Sequence, residues 1–410
     1  MKIIYLVHQF FPEFQSGTEN FVYNTARMTQ KLGNKVKVIT YSLNDDDWFD
    51  QDDGRILSKE YIYQGIPVLA FKYIKQPDDL GISLRSEQLE KYSRKVLSFE
   101  KPDLIHVGHT MRVHEFVHTA FTMNLPYIMT LTDFFLLCPK IILAPNDHTL
   151  CSGPQGGNTC STLCNELEKD FISKRLNDGK KLLLNSKIVI SPSKFLANIY
   201  KQEYEELNIK IVNHGILYRN IIQNEKIYSQ GETITFGYAG GLSKHKGVHI
   251  LIKAFTNIKN ENIRLNIYGY GDNEYVKKLK TIAENDKRIS FFGKYSGEQL
   301  GIIFNNIDII ITPSISYENY PFVLHEALAS GVPVIASNLG GMAEKVKDGI
   351  NGFTVEPGSP TDIKEKMDII INNTQIINKL KNNIKTGTII PTVEQEAYQY
   401  FKIYNNIVEN

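Results

Sequence analysis

No charge of either sign dominates this chain: 46 Lys and Arg stand against 45 Asp and Glu, a formal net charge of +1. A global field that gathers nucleic acid is therefore missing, and any anion site must be built locally. No apolar run approaches the roughly 18 to 20 residues that a membrane-spanning helix needs, so a soluble chain is expected, with peripheral contact as the one form of membrane association left open. The opening segment MKIIYLVHQF lacks the basic region and small-residue cleavage site of an export leader and reads as a buried first strand. The expected location is the cytoplasm, with the inner face of the membrane included. Low-complexity tracts and short repeats are also missing. Cysteine is scarce and confined to one segment between Leu131 and about Asn165, as Cys138, Cys151, Cys160 and Cys164 in a C-x12-C-x8-C-x3-C spacing. Four thiols in a chain without a leader read as a structural zinc site before a disulfide pair, although only the last spacing is zinc-like; zinc, free thiols and disulfides all stay open.

What is present is the composition of a globular protein, 42% hydrophobic and 22% charged over 410 residues, too long for one comfortable core. Two α/β domains are expected. The first half opens with a strand (Lys2 to Val7), a loop carrying Ser16 and Gly17, a helical pattern to about Leu32 and the strand KVKVIT. PDLIHV and PYIMTL follow as buried strands of a parallel sheet, separated by a helical stretch around Val113 to Met123. The second half alternates more cleanly: TITFGYAG, IRLNIYG and RISFFG are each followed by a helix, and then come IDIIIT, PVIAS and GFTVE. Strand, glycine-bearing turn and helix in series describe a doubly wound sheet that collects ligands at the carboxyl ends of its strands. The expected boundaries are residues 1–187, 188–390 and a terminal helical stretch, 391–410, lying back towards the first domain.

The segment SYENYPFVLHEALASGVPVIASNLGGMAE carries an E-x7-E pair, Glu318 and Glu326, then Gly331, a Pro-led strand from Pro333, Gly340, Gly341 and Glu344. Upstream, in order, stand AGGLSKHKG, IYGYG, ISFFG and IDIIITPS. On these residues the chain resembles family 4 glycosyltransferases of the GT-B fold, and the resemblance runs over nearly its whole length. It implies two Rossmann-like domains facing a cleft, an N-terminal one for the acceptor and a C-terminal one for a nucleotide sugar. It also implies transfer with retention of anomeric configuration, without a metal on the diphosphate or any other required cofactor. The first Glu then approaches the transferred sugar and the second the ribose. Gly17 matches the family's glycine loop, reaching the donor from the other domain. Two expected residues are missing: the family's Arg aligns with Gly241, and the His that often precedes Asp133 is Thr132. His109, at the carboxyl end of PDLIHV, is the replacement candidate beside Asp133 and Glu318 for contact with the transferred sugar.

The residue types fit that chemistry. A helix start offers unpaired amides to a diphosphate, and because Pro321 has none, Phe322, Val323 and Leu324 are the expected donors. A carboxylate accepts hydrogen bonds from two neighbouring hydroxyls, so Glu318 and Glu326 suit the two sugars of a nucleotide sugar. Lys246, closing a strand-to-helix turn, suits a departing diphosphate, with Lys244 or His245 nearby. The blander account of each is a solvated charge. Gly269 and Gly271 imitate a dinucleotide fingerprint, but Glu274 stands where the third glycine belongs, and an Asp272 helix cap is the simpler reading. Asp45, Asp46 and Asp47 read as a solvated loop. The expected donor is a UDP-sugar, with GDP second, and the acceptor a glycan, a lipid-linked carbohydrate or a small molecule. The expected setting is surface polysaccharide or glycoconjugate biosynthesis. A nucleotide-sugar epimerase, a sugar phosphorylase or an inactive scaffold of the same fold are the alternatives, and a dehydrogenase is more distant.

Overall fold

The computed structural model describes residues 1–145, 149–164, 166–284 and 286–409; Asn165, the expected end of the cysteine segment, lies outside them. The chain divides into unit 1, Met1–Gly215 with Val393–Asn410, and unit 2, Ile216–Thr392.

Unit 1 holds nine strands: β1 (Lys2–Val7), β2 (Lys35–Tyr41), β3 (Gln51–Asp52), β4 (Ile56–Tyr63), β5 (Ile66–Tyr73), β6 (Leu104–Val107), β7 (Tyr127–Thr130), β8 (Val189–Ser191) and β9 (Ile209–Ile211). They lie in the order β3-β4-β5-β2-β1-β6-β7-β8-β9. β1 is the centre, and Ile3 to Val7 are fully buried, as a parallel strand covered on both faces requires. The sheet is parallel from β5 to β9, but β3 and β4 run antiparallel at the edge, which an all-parallel reading misses. The cause is local: Gln64 and Gly65 both take positive φ, 44° and 87°, the two-residue turn that folds a hairpin back on itself.

The division between units falls at Gly215/Ile216 rather than at 187/188, because β8 and β9 pair onto β7 and extend the first sheet. The helix Val393–Val408 belongs to unit 1 and packs on the helix Gly17–Lys31. Its Tyr404 hydroxyl lies 2.7 Å from His106 Nδ1 and 3.3 Å from the Tyr5 hydroxyl, and its Tyr400 hydroxyl lies 3.0 Å from Thr130 Oγ1.

Unit 2 holds the six expected strands, β10 (Ile234–Ala239), β11 (Ile263–Tyr268), β12 (Ile289–Gly293), β13 (Ile309–Thr312), β14 (Val334–Ser337) and β15 (Gly352–Val355). All are parallel, in the order β12-β11-β10-β13-β14-β15. Side chains alternate between two cores: Ile309 and Ile311 pack with Leu251 and Phe255 on one face, Ile310 with Leu324 and Leu328 on the other. In each unit the order of the parallel strands reverses once, at β1/β6 and at β10/β13. There neighbouring connections leave on opposite faces and open a crevice at the carboxyl ends of the strands.

Candidate functional sites

In unit 2 the reversal point gathers the residues expected to hold a donor. Lys246 stands in the short turn Lys244–Lys246 after β10, and Glu318 in the loop after β13. Lys246 Nζ lies 2.5 Å from Glu318 Oε1, which also accepts from Ser314 Oγ at 3.0 Å. The Gly341 amide donates to the Glu318 carbonyl at 2.6 Å, which fixes the loop from behind. Gly247 explains how the lysine turn comes so close to β13: it takes φ 73°, and a Cβ there would stand 1.9 Å from the Pro313 carbonyl oxygen. Only glycine fits that position.

Glu326 lies inside the helix Phe322–Ala329, and no hydrogen bond or ion pair reaches its carboxylate among the described residues. Burial pushes its carboxyl up to about 7. A desolvated acid without a cation is costly to keep ionised, and groups of this kind concentrate at binding and catalytic sites. The first turn of the helix differs from expectation at one residue. The Leu324 amide bonds to the Pro321 carbonyl at 3.1 Å and its side chain is fully buried in the core, so its N–H is committed inside the turn. The Phe322 and Val323 amides keep the geometry of a helix start. Gly241 is exposed, and a side chain there would meet nothing within 4 Å.

The bland reading holds for the second glycine motif. Gly269 and Gly271 pass against the carbonyls of Gly240 and Leu242, and Asp272 Oδ1 accepts from the amides of Glu274 and Tyr275, both at 3.0 Å. The motif packs two loops and caps a helix.

In unit 1 the structure brings His109 and Asp133 together at the carboxyl ends of β6 and β7, with His109 Nε2 2.6 Å from Asp133 Oδ2. The Met111 amide donates to His109 Nδ1 at 3.1 Å, so Nε2 carries the proton and gives it to the carboxylate. The Phe135 amide donates to Asp133 Oδ1 at 2.8 Å, and both residues line a small cavity with Thr132 and Tyr200. Gly17 is exposed as the first residue of its helix, where the Ser16 amide donates to Glu19 Oε2 at 2.5 Å.

Two neighbours were not expected from the sequence. His8, immediately after β1, lies with its ring 3.9 Å from that of His109. Its titration is held well below the usual range by burial first, and then by its neighbours His109 and Arg112. Its place at a central strand's carboxyl end was the available signal. Nothing in the sequence marks Arg112.

All four cysteines are free and line one apolar cavity with Leu143 and Leu167. Burial and the neighbouring thiols push the Cys160 thiol up to about 12. Among the described residues no three His, Cys, Asp or Glu side chains are placed to hold a metal ion, which departs from the zinc-site expectation: the thiols share a cavity wall without forming a ligand set.

Over 204 residues the chain is 31% identical to an uncharacterized glycosyltransferase of Methanocaldococcus jannaschii, covering 49% of this chain and 54% of that protein. Over 196 residues it is 30% identical to the lipopolysaccharide 1,2-N-acetylglucosaminetransferase of Salmonella typhimurium, covering 44% and 51%. The chain thus spans about half the length of the curated relatives it matches. The crystal structure of Anabaena HepE in complex with UDP and glucose superposes with a TM-score of 0.70 at 18% identity, covering 99% of this chain and all of that one. At that identity the likeness shows the fold, which is GT-B. Residues 220–387, nearly all of unit 2, match the family model of the glycosyl transferases group 1.

Proposed function

We propose that the chain is a retaining glycosyltransferase that moves a sugar from a nucleotide-diphosphate sugar, a UDP-sugar first, onto a carbohydrate or lipid-linked acceptor. Its setting is surface polysaccharide or glycoconjugate biosynthesis, in the cytoplasm or at the inner membrane face; among the described residues no helix is long and apolar enough to cross a membrane. The observation that carries the reading is the convergence of Lys246, Glu318 and the Phe322 helix start at the β10/β13 reversal, with an unpaired, desolvated Glu326 in the same helix. The Salmonella relative's name and the UDP in HepE agree with it.

In this reading the diphosphate takes the Phe322 and Val323 amides and draws Lys246 away from Glu318. The ammonium then neutralises charge that grows on the diphosphate as the bond to the sugar breaks. Glu318, released from the lysine, faces the sugar where positive charge develops. Glu326 accepts from the ribose hydroxyls in ground and transition states alike. His109, fixed by Asp133, contacts the transferred sugar.

The test is a transfer assay with UDP-, GDP-, ADP- and dTDP-sugars, with products analysed in the presence and absence of acceptor. Transfer is expected, and Glu318→Gln should lower kcat far more than donor affinity. Epimerised donor without acceptor, or wild-type turnover in Glu318→Gln, would overturn the assignment.

A further inference from the structure

Arg112 lies three residues past His109 in the connection that follows β6, in left-handed backbone at φ 64°. That conformation costs a non-glycine residue on the order of 1 kcal/mol and persists where the surroundings enforce it. The side chain is half-buried, and Nη1 is sealed from water with no hydrogen-bond partner. Among the described residues, neither an ion pair nor a hydrogen bond reaches its guanidinium. Its carbon lies 5.6 Å from the centre of the Tyr41 ring at the carboxyl end of β2. Glu13 is near enough for its charge to be felt, yet that carboxylate is already committed: it accepts from Ser42 Oγ at 2.8 Å, the Leu43 amide at 2.7 Å and Asn44 Nδ2 at 3.3 Å.

Burial shifts both members of the neighbouring pair towards neutrality. The Arg112 guanidinium is held below its usual range by desolvation, and His8, 8% exposed, has a buried Nδ1 without a partner. A sealed donor left unpaired costs about 1 to 3 kcal/mol, and native proteins rarely keep such groups without a use. Here strained backbone and an unpaired guanidinium nitrogen at Arg112, near enough for its charge to act on His8, and an unpaired imidazole nitrogen on His8, stacked on His109, stand past the strand ends where the order of the sheet reverses. His8 Nε2 lies 3.8 Å from Glu19 Oε1, so what Arg112 Nη1 and His8 Nδ1 each lack is an oxygen acceptor of their own.

We propose that Arg112 and His8 form an oxyanion subsite that binds a phosphate or carboxylate carried by the acceptor. The planar guanidinium suits bidentate contact with such a group. The subsite deepens the transfer reading and rests on unit 1 being the acceptor side. It narrows the acceptor to an anionic carbohydrate or a sugar linked through phosphate.

The test uses the full chain, saturated with UDP to occupy the donor site and titrated calorimetrically with inorganic phosphate, glucose 1-phosphate, glucuronic acid and glucose. The three anions should bind at least tenfold more tightly than glucose. Arg112→Gln should erase that preference and Arg112→Lys keep part of it, with UDP affinity unchanged in both. Phosphatidylglycerol vesicles form a parallel arm, and binding dependent on Arg112 there assigns the phosphate to a lipid. Equal phosphate affinity in wild type and Arg112→Gln, or no preference for anions over glucose, overturns the subsite. If UDP itself fails to bind, the donor reading falls, and the same comparison without UDP still decides the subsite. Thermal unfolding guards against a purely structural role: removing an unpaired buried charge should leave Tm unchanged or raise it. A marked fall in Tm for Arg112→Gln with unchanged phosphate binding assigns the residue to packing instead.

Discussion

Glu326 gives unit 2 a dependence on pH near neutrality. Its carboxyl titrates near 7 when folded, against about 4.3 for an exposed glutamate, so the folded state binds its proton more tightly than the unfolded state does. Stability from this group is therefore full below about pH 4 and declines as pH rises through 7. Glu326→Gln should be more stable than wild type at pH 8, by on the order of 1 to 3 kcal/mol, with the difference closing towards pH 4; urea unfolding at several pH values checks this. Donor affinity should run the other way. Ribose hydroxyls need the ionised acceptor, so wild-type UDP binding should strengthen from pH 6 to 8, whereas Glu326→Gln should bind roughly tenfold to a hundredfold more weakly at pH 8 and show no such rise. A flat wild-type profile in calorimetry would remove Glu326 from the ribose. Gly241 offers the opposite experiment. Because a side chain there meets nothing within 4 Å, Gly241→Arg should be tolerated and should tighten UDP binding several-fold through a new phosphate contact, again read by calorimetry.

At the scale of elements, Gly247 shows how a backbone constraint positions a charged side chain. Gly247→Ala brings a Cβ against the Pro313 carbonyl, so the turn must move away from β13 and take Lys246 with it. The expected loss is about 2 kcal/mol or more of stability in unit 2 and a larger loss of nucleotide affinity, measured by denaturation and by UDP titration of the same sample. The strands of unit 2 were legible because all but the edge strand β12 are largely buried apolar runs and all but β13 close in a glycine-bearing turn, and its site was legible because Lys246 and Glu318 stand in loops after strands and Glu326 in the helix that follows. The hairpin of β4 and β5 was not: YIYQGIPVLAF alternates only partly, and its Gln-Gly turn lacks the Asn or Asp that usually announces such a fold. Pairing across the sheet was equally hidden. His109 and Asp133 come from different strands 24 residues apart, and their contact depends on β6 lying beside β7. Arg112 left no trace, since a positive φ in a residue other than glycine comes from its surroundings and has no signature in composition.

Across the whole molecule, unit 2 is an insertion within unit 1. The chain leaves unit 1 after Gly215 and re-enters it at Val393, and the two ends of unit 2 are stitched together where the Ile216 amide donates to the Pro391 carbonyl at 3.0 Å. Residues 216–392 should therefore fold and bind UDP as a separate fragment; a folded fragment with no affinity, when the full chain binds, would move the donor site out of unit 2. Removing residues 393–410 should have the converse effect. Unit 1 loses the hydroxyls that satisfy His106 and Thr130, and it loses Glu396, which takes His214 Nδ1 and the Gly215 amide at 2.7 Å each. Hydrogen exchange on the shortened chain should show protection lost in β1, β6 and β7 and retained in β10 to β15.

The Val393–Val408 helix also fixes a sequence of events during synthesis. Every strand and helix of unit 2 precedes residue 393, so unit 2 is complete in sequence before the helix that closes unit 1 is made. Unit 1, begun first, finishes last: the polar groups of its central strands wait for two tyrosines translated some 300 residues after His106. A product cut before residue 393 would thus display a complete unit 2 joined to an open unit 1 sheet, and chaperone dependence in this protein should track its first half.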